Sequence, residues 1–256
     1  MRSETRFGWL LGGVLPALVA VLWEMLSRVG VLSEDGFSRP SRWLVAGAQA
    51  LADGSLLVQT GETFGAAALG LAIAAAAGIA LGTLLGLSRP LERAATLTID
   101  ALRPVPSVAL IPLALLIFGF SRGMSAAVAA FACFWPILLT TIASVRGIDP
   151  RLIEVGRMLG LSRGRRIWKL ALPAAVPGIM VGVRVAAGIA IVVTITTEIV
   201  ANPRGLGHAM TMASQSLQAD LAWATLLWVG VVGWAANAAM LRFEQRWLRW
   251  YWAGRA

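Results

Sequence analysis

The chain has one cysteine, one histidine, one lysine and one tyrosine in 256 residues, and the first three of these scarcities each exclude a class of chemistry. Cys133 sits alone within an apolar run, so it forms no intramolecular disulfide and no multi-cysteine metal site. It reads as a small core residue. His208 by itself leaves a zinc site without the His/Cys cluster that it needs. Lys169 follows Trp168 rather than glycine, so the P-loop pattern is absent and the chain cannot hydrolyse ATP on its own. Charge is also scarce: 14% of residues are charged, against about a quarter in a soluble domain. With 58% hydrophobic residues and a mean hydropathy of +0.75, the chain reads as an all-α, polytopic membrane protein. The net charge of +9 does not point to nucleic acid, because the cations flank apolar runs and form no separate basic domain.

What is present is a series of long apolar runs. A membrane helix needs roughly 20 apolar residues, and six segments meet that length: about 8–28, 62–87, 104–120, 124–145, 174–200 and 221–241. The first has no small-x-small cleavage site after its apolar core, and Trp23-Glu24 interrupts the place for one, so it is read as a retained span. With the N-terminus placed in the cytoplasm, sixteen cations fall inside and five (Arg28, Arg39, Arg42, Arg122 and Arg204) outside, with Arg184 within a span. That asymmetry predicts that both termini are cytoplasmic. The organisation is an N-terminal span with an outer loop (1–60), a core domain (61–248) and a tail (249–256). Residues 41–52 of the outer loop suit a short interfacial helix, and Trp247, Trp250, Tyr251 and Trp252 suit an aromatic anchor at the inner leaflet.

Glycines and prolines punctuate the spans. Gly78, Gly82 and Gly86 recur at every fourth residue below Gly70, a ridge on which another backbone can pack closely, either within the bundle or in a second copy. Arg103-Pro104-Val105-Pro106, with Pro112 beyond, makes the start of the third span stiff and kinked.

The most ordered connection is 147–173. Asp149 suits an N-cap and Pro150 the first helical position, so a short helix runs to Gly160, where a left-handed residue ends it. Ser162 then begins a second helix leading to Leu172-Pro173. The short helix has an apolar stripe and a rim of Arg151, Glu154 and Arg157. Such a stripe fits a protein groove or an anionic lipid surface.

The spacing Glu154-Val155-Gly156, three residues, Gly160, nine residues, Leu170-Ala171-Leu172-Pro173 resembles the "EAA" loop of ABC importer permeases. Further segments resemble the permeases for sulfonates, taurine and nitrate: Leu102-Arg103-Pro104-Val105-Pro106-Ser107, Ile111-Pro112-Leu113, Gly119-Phe120, Gly182-Val183-Arg184-Val185, and Glu198 followed by Gly205-Leu206-Gly207. With Gly82, Gly86, Leu87 and Ser88, the resemblance spans roughly residues 60–210. Two departures stand out: Val155 and Gly156 replace alanines, and Thr63, beside Glu62, stands where an arginine is expected.

The resemblance implies a type I importer bundle with a cytoplasmic coupling helix, whose ATPase-coupling residues are Glu154, Gly156, Arg157, Gly160, Leu172 and Pro173. It also implies a second permease copy, a separate cytoplasmic subunit that binds ATP, and an extracytoplasmic solute-binding protein. The chain itself is then no enzyme and holds no cofactor or metal; its cargo is a small, anionic, sulfonate-like solute.

Arg184 and Glu198 are the candidate translocation-pathway residues. Arg184 lies 11 residues past Pro173, roughly 16 Å along the helix, where a cation is expensive unless it faces protein or water. It balances an anion in a path or ties to an acid on a neighbouring helix. Glu198, about 21 Å further along, contacts the binding protein, forms part of a gate, or ties down the loop at Asn202-Pro203. Glu24, beside Trp23, reads as a group making an interfacial or interhelical hydrogen bond. The rival to an importer subunit is a secondary transporter or channel acting alone, which predicts a relay of acids or histidines near the midplane.

Overall fold

The computed structural model describes residues 4–31 and 36–247, with side chains for residues 14–31 and 36–246. The aromatic tail at 249–256 and its cations lie outside the described residues, as does Arg2. Helix dominates, and no strand occurs among the described residues. The elements are α1 (Glu4–Arg28), α2 (Pro40–Ala52), α3 (Ser55–Leu87), α4 (Arg89–Leu102), a 3₁₀ turn (Ser107–Leu110), α5 (Ile111–Phe118), α6 (Arg122–Arg146), α7 (Pro150–Met158), α8 (Arg163–Arg166), a π turn (Ile167–Ala171), α9 (Leu172–Val200), α10 (Leu206–Gln215) and α11 (Ala219–Trp247).

Four of the described helical rods are long and apolar enough to cross a bilayer: Ser55–Leu87, Arg122–Arg146, Arg163–Val200 and Ala219–Arg246. They coincide with four of the six expected spans. The expected first span is helical, as α1. The expected third span at 104–120 is not one continuous helix: α4 and the segment Ser107–Phe118 are bent 83° apart. The cause is local. Pro104 and Pro106 lack amide donors and constrain the residues before them, and Gly119, at φ +62°, stops α5 after eight residues. The expected interfacial helix at 41–52 is α2. Helices α4 and α10 occupy connections in which the sequence reading placed no element.

α6 is the central rod. Half of its most apolar stretch is buried, against 11% for that of α11, so α6 is the helix that the others surround. α3 packs along one side of it and α9 along another. The glycine ridge of α3 makes the first approach possible. A Cβ on Gly82 would lie 2.6 Å from Thr141 Cβ, and one on Gly86 2.8 Å from Val145 Cβ. The partner of the ridge is therefore within the chain itself. Along a second face of α6, Gly178 and Gly182 of α9 meet Ser144 and Thr140, where a Cβ would collide with the hydroxyls. In lipid, with no solvent to drive apolar surfaces together, such close backbone packing supplies much of the attraction between helices. Cys133 lies in this seam with Ala67, Ala74, Ile137, Ala186 and Ala190, and its thiol donates to the Ala186 carbonyl at 3.2 Å.

Candidate functional site: two polar ends of the helix bundle

Helix polarity sorts the polar residues to two ends. The first carries the starts of α3, α6 and α11 and the end of α9. Here Glu198, 2% exposed, accepts through Oε2 from Thr63 Oγ1 at 2.9 Å and from the Gly207 amide at 3.0 Å. Thr63 Oγ1 in turn accepts from the Leu206 amide at 2.9 Å, and Gln59 Oε1 accepts from the Gly205 amide at 2.7 Å. Three successive amides at the start of α10 thus find acceptors on α3 and α9, satisfying donors that the helix cannot bond internally. The carboxylate also suits the positive end of the helix dipole. Gly205, at φ +94°, is needed on two counts, since a Cβ there would also collide with the Glu198 carboxylate. The loop contact of Glu198 is made at Gly207; Asn202 instead donates to Ser125 Oγ at 2.8 Å.

Beside this network Arg122 of α6 forms a two-pronged ion pair with Glu62 of α3, at 2.5 and 2.6 Å. The sequence shows Glu62 beside Thr63, but reads Arg122 only as an outer cation. An acid near the start of a long apolar helix was the signal available. On the outer flank Glu24 accepts from the Ser41 amide and hydroxyl at 3.1 and 3.0 Å, the interhelical role expected of it. Trp43 stacks on Trp223 with centroids 5.1 Å apart, and Trp23 meets both edge-on, joining α1, α2 and α11. Ser38, two residues before α2, is 1% exposed and hydrogen-bonds Asp220.

Toward the second end Arg184 donates to Glu244 of α11 at 3.0 Å. The two side chains are 36% and 13% exposed. Arg184 and Glu198 thus have separate partners and do not meet. At the same end Arg146 pairs with Glu92, fastening α4 to α6.

Beyond it lies α7. Asp149 caps the helix by accepting from the Arg151 amide at 2.9 Å. The far end is a Schellman turn: the Leu161 amide donates to the Gly156 carbonyl and the Gly160 amide to that of Arg157, both at 3.0 Å, with Gly160 at φ +66°. Helix α7 stops at Met158, two residues short of Gly160. Buried Gly156 lets α7 press on the following rod, since a Cβ there would be 2.6 Å from Leu170 Cδ1 and 3.1 Å from Arg166 Cγ. Glu154 and Arg157 are exposed, Leu172 is half-buried, and Pro173 is exposed. Val155, Met158 and Leu159 are 49%, 86% and 69% exposed, an apolar face with no cover among the described residues.

Comparison with known proteins agrees with this architecture. A protein of Bacillus subtilis (strain 168) named as the aliphatic sulfonates transport permease SsuC is 30% identical over 97% of this chain and 90% of its own length. Its counterpart in Escherichia coli (strain K12) is 33% identical over 92% and 90%. The taurine transport system permease TauC of E. coli is 26% identical over 93% and 88%. Among solved structures, an inward-facing MetNI methionine ABC transporter chain matches with a TM-score of 0.65 at 19% identity, covering 75% of this chain and 95% of that one; the fold is therefore shared. These relatives are named as transport permease subunits, not as enzymes. Residues 74–249 match the family described as the binding-protein-dependent transport system inner membrane component, and the chain belongs to that family of ABC importer permeases.

Proposed function

We propose that this chain is the transmembrane subunit of an ATP-driven importer for a small organic anion of aliphatic sulfonate type. Its bundle crosses the membrane six times, with both termini and α7 in the cytoplasm. The observation that carries the reading is α7: a helix capped at both ends, pressed onto the bundle through Gly156, that turns Val155, Met158 and Leu159 outward. A rigid element with an apolar face is suited to a groove on a separate ATPase, and the absence of a P-loop requires such a partner.

The cargo assignment draws on the relatives named for sulfonates and taurine. Arg184 supplies the cation that such a solute needs, half-exposed and held in place by Glu244, while Glu198 ties the outer loop to the bundle. The solute-binding protein meets the end that carries Glu62, Arg122 and Trp223. A second copy covers the apolar residues of α5, of which Leu116 is 83% and Ile117 63% exposed. A broken helix at membrane depth is tolerated only against protein or a water-filled cavity.

The test is reconstitution with a P-loop ATPase and a solute-binding protein of an alkanesulfonate importer. ATP-dependent uptake of an alkanesulfonate, lost in Gly160→Trp while the permease remains in the membrane, is the expected result. Uptake without any ATPase, or normal uptake by Gly160→Trp, would overturn the assignment.

A further inference from the structure

Where α3 ends and α9 begins, the protein has a cleft of about 330 Å³ lined by Leu87, Ile153, Arg157, Arg163, Arg166, Ile167 and Ala171. That size is within the range of small-molecule sites. Three arginines and four apolar residues line it, and no carboxylate does. Arg166 Nε is buried and has no hydrogen-bond partner among the described residues. Leu87 is the last residue of α3 and Ala171 immediately precedes α9. The cleft therefore sits where two spans leave the apolar zone, at headgroup depth. Trp168, 72% exposed, stands next to Ile167, as aromatic residues do at a membrane interface.

We propose that this cleft holds the phosphate of an anionic phospholipid, with Arg157, Arg163 and Arg166 on the phosphate and the start of an acyl chain on Leu87 and Ile167. Guanidinium groups match a phosphate through paired donors, and basic pockets between helices at a membrane face bind such headgroups. The ATPase is the less suitable occupant. Ile153 and Arg157, four residues apart, share the α7 face that lines the cleft, whereas Val155, Met158 and Leu159 project from the opposite face. Helix α7 can therefore meet lipid on one side and a protein on the other. The inference rests on membrane embedding alone and not on the identity of the cargo or on the compartment that this end meets.

Native mass spectrometry of the detergent-purified full chain, supplied with equal phosphatidylglycerol and phosphatidylcholine, tests it. Wild type is expected to retain phosphatidylglycerol about ten-fold over phosphatidylcholine. Arg163→Gln/Arg166→Gln is expected to lose that preference, and Arg165→Gln, outside the cleft, to keep it. If the double glutamine variant fails to assemble, Arg163→Lys/Arg166→Lys reads the same quantity, because it keeps the charge and loses the fork; a two- to three-fold drop is expected. Unchanged preference in whichever double variant assembles would overturn the proposal. So would displacement of the lipid by micromolar glycerol phosphate, which would assign the cleft to a soluble phosphate ester. An added P-loop ATPase that binds wild type but not the double variant, with lipid retention intact in both, would assign the arginines to the protein partner and equally overturn it.

Discussion

Thr63 and Glu198, 135 residues apart in the chain, meet at 2.9 Å, and the threonine oxygen that donates to the carboxylate also accepts from the Leu206 amide. One hydroxyl thus joins three helices, α3, α9 and α10. Thr63 is fully buried, so neither of its partners has water in reserve when the hydroxyl is removed.

Thr63→Val should therefore destabilise the protein by about 1–3 kcal/mol, the cost of leaving buried polar groups unpaired. Thr63→Ser should stay close to wild type. Thermal unfolding in detergent checks this, and a valine variant that melts with wild type would show that the hydroxyl does not hold the loop.

The α3–α6 seam makes a prediction about two glycines of one helix. Gly82→Ala places a Cβ 2.6 Å from Thr141 Cβ and 2.9 Å from the Leu138 carbonyl, both attached closely to backbone, so the helices must separate. Gly61→Ala meets nothing within 4 Å. The yield of monodisperse protein on size exclusion should fall sharply for the first and hold for the second.

Arg184 and Glu244 form a pair whose partners should be separable by a double-mutant cycle. Arg184→Gln or Glu244→Gln alone leaves an uncompensated charge in a partly buried site, a loss of about 3–5 kcal/mol when burial is complete and less at the exposures found here. Removing both should recover assembly beyond either single variant. Uptake per assembled transporter should nonetheless remain low in the double variant, because the cation is gone. Full uptake of an anionic solute by a well-assembled Arg184→Gln variant would end its pathway role.

For topology, cysteines at Leu217 and Ser162 in a Cys133→Ser background should react with impermeant maleimide from opposite sides of the membrane. Leu217 is 85% exposed and suits the purpose better than buried Ser38. Labelling of both positions from one side would refute the six-span arrangement.

The turn chemistry around α7 was legible because it is local. Asp149, Pro150 and Gly160 each act on neighbours within a few residues, so cap and Schellman turn follow from spacing. The apolar runs were equally readable, and with them the class of protein; the family was legible in the spacing from Glu154 to Pro173 and in segments such as Gly182-Val183-Arg184-Val185. The bend at 103–120 was legible as a kink at Pro104 and Pro106, but not as an 83° break, because proline removes a hydrogen bond without specifying where the chain goes next.

What only the tertiary structure decided is pairing across long separations. The glycine ridge at Gly78, Gly82 and Gly86 announced a close contact, and the fold chose α6 as its partner. In the sequence Glu198 reads as a pathway or loop residue; the donors that it accepts from, Thr63 Oγ1 and the Gly207 amide, come from α3 and α10 and depend on both arriving together. Arg184 acquired Glu244 from a helix 60 residues away, and three arginines of a loop that reads as uniformly basic came to line one cleft. Composition and periodicity determine how each segment meets lipid and water. Which side chains then face one another depends on how the helices are rotated and offset, and that is settled by packing over the whole bundle.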